Sequence, residues 1–292
     1  MVAGSELGSI ELRKEYIDTA VKAVVKIEEK WKSLCAIDSS SAWTESYFRE
    51  TNNDSTDGGT TSPIKGVPQY AAFPFFDVTE TKVSSIIDKY AGESIISMEA
   101  QENITIPMLQ RKVYRLGRKI VYQIDVAIED ACSTVTTGYG NTVAITAGNE
   151  WDSATIANRD PVKDILDAIQ TLRVDGIDAL AGNGYLVVNG QDYTNIISNT
   201  KVINHPTYES GVMQNGKVGK LLGLTIVVSE AVQADSAFVL VGKQGMVWKQ
   251  AQGLKVDTIV DPGKSTTIRA YERGVFQSQA PNEICKITNT RK

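Results

Sequence analysis

An α+β fold of two lobes is what this sequence predicts, and three observations predict it. From Pro107 to Cys132, apolar residues Leu109, Val113, Leu116, Ile120, Ile124 and Ile128 recur at spacings of 4, 3, 4, 4 and 4, the period of one long amphipathic helix. The middle of the chain alternates apolar strands with short helical patterns, in GYLVVNG, QDYTNIISN, LGLTIVVSEAV and SAFVLVG. The tail returns to strands with GLKVDTIVD, STTIRAYERGVF and NEICKIT. Two strand groups, each with helices beside it, suggest two lobes, with the tail strands packing beside the long helix.

Bulk properties exclude several classes. The 292 residues suffice for one large domain or two modest ones, and 42% hydrophobic with 22% charged residues is ample for a core. A net charge of −5 argues against a dedicated nucleic-acid reader covered in basic residues, while leaving room for a local basic face. Cys35, Cys132 and Cys285 are odd in number and far apart, so a reducing compartment fits better than a disulfide framework. Apolar runs such as LLGLTIVV are too short to span a bilayer, and the N-terminus lacks a signal-peptide core, so no membrane partner is expected.

The elements follow in order. Ile10, Ile17, Val21, Val24, Trp31 and Leu34 mark an amphipathic first helix. Residues 39–74 are polar and broken by Gly and Pro, which reads as a long extended excursion that cannot bury itself and lies on a neighbouring copy. FDVTETKVSSIIDKYAGESIISME reads as two strands with a turn at Ala91-Gly92. The long helix opens at Pro107 and, over 26 residues, spans about 39 Å. Asp160-Pro161 caps and opens another helix, with a core face of Ile165, Leu166, Ile169 and Leu172. Asp261-Pro262-Gly263 is a tight turn between two strands.

Searches for active chemistry return little. The run IVDPGKSTT ends like a phosphate-binding loop, but Thr258 occupies the first-glycine position and a strand follows in place of a helix. His205 is the single histidine, which leaves metal sites and catalytic dyads little to work with. NNDSTDGG starts like a calcium loop, but Ile64 stands where the bidentate Glu is required. The expectation is a non-enzyme with no cofactor, no metal and no catalytic residue.

The long helix carries an unusual charge order. Arg111, Lys112, Arg115, Arg118 and Lys119 lie in its first half and Asp125, Glu129 and Asp130 in its second, opposite to what the helix dipole favours. A solvated polar face is the commoner origin of such a pattern. The functional alternative is compensation from outside, by a neighbouring subunit's carboxylates or by phosphates near the basic half.

Two stretches carry a resemblance. KYAGESIISMEAQENITIPMLQRKVYRLGRKIVYQIDVAIED looks like the strand, acidic break and long spine helix of tailed-phage major capsid proteins. GYLVVNGQDYTNIIS with GKVGKLLGLTIVVSEAV resembles their strand–helix–strand core, and the tail from Leu254 to Ile287 their closing strands. The resemblance implies a Hong Kong 97-type capsid fold of the α+β class. Its parts would be an N-terminal arm (1–38), an extended loop (39–90), a peripheral domain with the spine helix (91–150 and 246–292) and an axial domain (151–245). It further implies hexamers and pentamers closing into an icosahedral shell around double-stranded DNA held by non-specific contact. Portal and scaffold proteins would be partners, and the shell would assemble in the host cytoplasm and end in the virion. Tyr70, Phe73, Phe75 and Phe76 are candidate loop anchors, and the five basic helix residues are candidate intersubunit or lumen-facing charges. An encapsulin-like compartment is the alternative on the same fold, and a nucleotide-dependent enzyme built on GKST a remote one.

Overall fold

The computed structural model describes residues 19, 21–22, 29–50, 68–72, 80–97, 99, 107–203 and 219–292. Its strands are β1 (Ala36–Ser39), β2 (Thr44–Glu50), β3 (Glu80–Ile86), β4 (Asp88–Ser97), β5 (Asn141–Ala144) and β6 (Gly184–Val188), followed by β7 (Lys220–Leu221), β8 (Leu224–Val228), β9 (Ser236–Val241), β10 (Met246–Asp261), β11 (Ser265–Ser278) and β12 (Ile284–Thr288). They form a four-stranded sheet in the order β1-β10-β11-β4, a six-stranded sheet in the order β5-β12-β9-β6-β8-β7, and a ribbon of β2 and β3. The parallel pairs are β1 with β10, β5 with β12 and β6 with β8.

Strand alternation sends the two faces of the six-stranded sheet into different cores. Leu186, Val188, Ala237 and Val239 pack with Ile165, Ile169 and Leu172 of the helix Pro161–Val174. Val187, Phe238 and Leu240 pack with Ile120, Ile124 and Ile128 of the long helix, Pro107–Tyr139. The sheet therefore lies between two helical layers. The long helix also covers the four-stranded sheet, where Val113 and Leu116 join Ile96, Val256, Ile268 and Ala270. One helix thus serves two sheets, which is why it is long.

Several expectations hold. Asp160 caps its helix by accepting the Lys163 amide at 3.2 Å. Gly263, at φ 75°, turns the chain so that the Lys264 N–H reaches the Asp261 carbonyl at 3.1 Å. Thr258 lies within β10 opposite Ile268, so the GKST residues form a hairpin and not a phosphate loop.

Others need correction. There is no turn at Ala91-Gly92: β4 runs unbroken through both residues, and the break falls at buried Ile87. Gly92 is small because the long helix presses on it; a Cβ there would stand 2.8 Å from Leu116 Cδ1. The long helix has 33 residues, about 50 Å, seven more than its apolar pattern indicates. In that extension Thr134, Thr136 and Thr137 donate their hydroxyls to carbonyls one turn back, so these side chains are satisfied within the helix. Leu166 is 46% exposed, and Ala168 takes the core position instead, completing the i, i+3, i+4, i+7 set with Ile165, Ile169 and Leu172. A continuous first helix does not reach Leu34. Thr19, Val21 and Lys22 are helical, Glu29 and Lys30 are not, and Trp31–Leu34 is a separate turn. Within the supposed excursion, Ser39 ends a strand paired with β10, and β2 pairs with β3 and buries Tyr47. Finally, β5 and β12 are hydrogen-bonded into the six-stranded sheet, away from the other tail strands.

Candidate functional site

The site to be judged is a set of surfaces and anchors: the segment 29–35, the spine-like helix and the ribbon. Segment 29–35 docks on the second half of the helix. The Asp125 carboxylate, 3% exposed, accepts the backbone N–H groups of Lys30, Trp31 and Lys32 at 3.2, 3.1 and 3.3 Å. Burial pushes Asp125 up to about 6, outweighing those three amides. Trp31 is fully buried edge-on against Phe238, with ring centroids 5.3 Å apart. The Lys32 ammonium meets Glu272 of β11 at 2.6 Å and Glu29 at 3.1 Å. Burial works against that cation, but its carboxylate partners prevail and hold it above its ordinary value. Glu129, one turn beyond Asp125, is 1% exposed and burial pushes it up to about 7. Asp125 and Glu129 are therefore not part of a solvated face. The sequence marked them only as polar positions, because the segment that Asp125 holds lies about 95 residues away.

The first half of the helix is different. Arg111, Arg115, Arg118 and Lys119 are exposed, and Lys112 is half-buried with its ammonium donating to the Ile95 carbonyl at 2.6 Å. Lys112 thus ties the helix to the open edge of β4 and does not belong with the exposed four. The Arg118 guanidinium lies over the Tyr114 ring at 5.5 Å. Among the described residues no carboxylate pairs with Arg111, Arg115 or Lys119.

The ribbon has an inner and an outer face. At its root, Arg49 lies over the rings of Tyr47 and Tyr139 at 5.7 and 5.5 Å and donates to the Tyr47 hydroxyl at 2.7 Å. The Glu50 N–H reaches the Gln279 carbonyl at 2.9 Å, fixing the ribbon to the end of β11. The outer face, Thr44, Ser46, Phe48 and Glu50 beside Glu80, Lys82, Ser84 and Ile86, is exposed throughout, with Phe48 at 59% and Ile86 at 69%. Of the expected loop anchors, Tyr70 is fully exposed with φ 66°, and Phe73, Phe75 and Phe76 lie outside the described residues. Arg49 was the anchor that sequence reading missed, since its ring partner Tyr139 belongs to the part of the helix beyond the apolar pattern.

Comparison with known proteins places this arrangement. By fold, the chain is similar to the capsid of cyanophage P-SCSP1u, at 14% identity and a TM-score of 0.64, covering 87% of this chain and 86% of that one. It is similar to the mature capsid of bacteriophage PhiM1 at 14% identity and 0.61, covering 90% and 87%. It is also similar to a virus-like particle from Pyrococcus furiosus at 10% identity and 0.61, covering 94% and 99%. The fold is the Hong Kong 97-type capsid fold. Residues 80–287 match the family model for phage capsid protein, and the chain belongs to that family. It is a structural protein of the bacteriophage capsid, one that associates with itself into a shell. A comparison with curated proteins found no match.

Proposed function

We propose that this chain assembles as hexamers and pentamers into an icosahedral shell enclosing double-stranded viral DNA, with portal and scaffold proteins as partners. The shell forms in the host cytoplasm and persists in the virion. Residues 1–38 act as the arm, 39–90 as the extended loop, 91–150 and 246–292 as the peripheral domain and 151–245 as the axial domain. In this division β5 and β12 are the strands through which the peripheral chain segments join the axial sheet.

The observation that carries the reading is the ribbon. A two-stranded ribbon is marginal on its own, yet this one keeps Phe48 and Ile86 on an open face while Arg49 fixes only its root. Such a face is stabilised by a sister subunit, and repeating one heterologous contact around an axis closes a ring. Particles purified from expressing cells are the test: closed shells with nuclease-protected duplex DNA support the reading. Closed shells holding protein cargo and no DNA would instead support the encapsulin-like reading. Absence of any closed particle would defeat both.

A further inference from the structure

The long helix has one face whose character changes along its length. At 100° per residue, Arg111, Arg118, Tyr122, Asp125 and Glu129 fall within about 60° of one another. Over Asp125 that face is covered by segment 29–35, and Glu129, one turn on, is also buried. Over residues 111–122 it is open: Arg111, Arg115, Arg118 and Lys119 are exposed, with Tyr114 42% and Tyr122 46% exposed among them. Because Asp125 and Glu129 are spent inside the fold, Asp130 is the one acid of this helix left exposed. The open surface is therefore cationic on a chain whose net charge is −5.

The arrangement suits a dense polyanion. Arg111, Arg115 and Lys119 step about 6 Å each along the helix axis, forming a row of cations and not an isolated one. Arginine forks and tyrosine hydroxyls are suitable donors to phosphate oxygens and need no base sequence. The chain as a whole is acidic, so a cationic face of this length is a distinct place for a polyanion to meet it.

We propose that the open helix face from Arg111 to Tyr122 is a phosphate-contact surface for packaged duplex DNA, and so lines the inside of the shell. This rests on the shell reading above for the source of the duplex. Lys112, held by the Ile95 carbonyl, is a structural tie and contributes little to the contact.

The test is titration of a short fluorescent DNA duplex with the purified full chain, over about 50–200 mM salt, where each neutralised phosphate adds about 0.9 to the slope of log affinity against log salt. The double substitution Arg115→Gln with Arg118→Gln is expected to cut that slope by about two and weaken binding about 10-fold at low salt. Lys264→Gln, at the exposed β10–β11 turn, leaves the slope unchanged. If the double substitution disturbs folding by circular dichroism, Lys119→Gln replaces it and lowers the slope by about one. No binding by the unaltered chain, or an unaltered slope after substitution, overturns the proposal. Loss of closed particles with duplex binding intact also overturns it, assigning the face to contact between copies. Expected duplex binding by a chain that forms no closed particle leaves the phosphate contact standing and removes the shell reading.

Discussion

Asp125 shows how one side chain resolves what the sequence left as a puzzle. Its carboxylate holds three successive amides of a distant segment, so it is placed for docking and not for the helix dipole. Asp125→Ala leaves those donors without an acceptor and is expected to cost about 3 kcal/mol, read as a lower denaturation midpoint together with faster hydrogen exchange at residues 29–35. Unchanged exchange there would contradict the docking role. The buried carboxyls also set a pH dependence. Burial pushes Asp125 and Asp192 up to about 6 and Glu129 and Glu283 up to about 7, against about 4 in an unfolded chain. The folded state thus holds these protons more tightly. The stability they contribute is fully present below about pH 4 and is lost as pH rises through 6 to 7, each pKa unit being worth about 1.4 kcal/mol. Asp38 is held low by the Lys249 ammonium and Glu150 by backbone amides, so they act in the opposite sense and only in stronger acid. The denaturation midpoint should therefore be higher at pH 5 than at pH 8, and Glu129→Gln should raise the pH 8 value and flatten the profile. A midpoint that climbs from pH 5 to pH 8 would refute this assignment.

At the scale of elements, what was legible was local. The Asp261–Lys264 turn and the Asp160 cap depend on neighbours in sequence, so residue type alone announced them. Asp160→Ala should cost about 1 kcal/mol in thermal or chemical denaturation. What was not legible depended on distant partners. Gly92 signals a turn locally, but Leu116 explains it, because the helix must approach β4 closely. Gly92→Val is expected to destabilise by about 1–3 kcal/mol through overpacking, where a turn glycine with an ordinary φ in open space would have tolerated it. The helix end at Tyr139 was hidden because threonines satisfy themselves on the preceding turn. The ribbon root was hidden for a related reason, since Arg49 draws on Tyr139 and the Ser278 carbonyl. Arg49→Ala should leave the global midpoint nearly unchanged while raising exchange in β2 and β3; protection that persists would show the ribbon is held by other means.

For the whole molecule, the fold class and the capsid resemblance rested on the order of strands and helices across the chain, which survives at 14% identity to solved capsids. Charge placement did not survive as pattern, because a carboxylate spent on an inward contact and one facing water look alike in sequence. The separation matters for assembly. Asp125, turned inward, holds segment 29–35, cations remain on one open helix face, and among the described residues Arg49 and Glu50 fix the ribbon at its root. The most direct measurement is a cryo-electron-microscopy reconstruction of particles formed by this chain, traced through the ribbon strands Thr44–Glu50 and Glu80–Ile86. The account predicts a closed shell in which the outer faces of β2 and β3 lie against an adjacent subunit. A chain that stays monomeric in every assembly condition, or a shell in which that ribbon rests wholly on its own subunit, would contradict it.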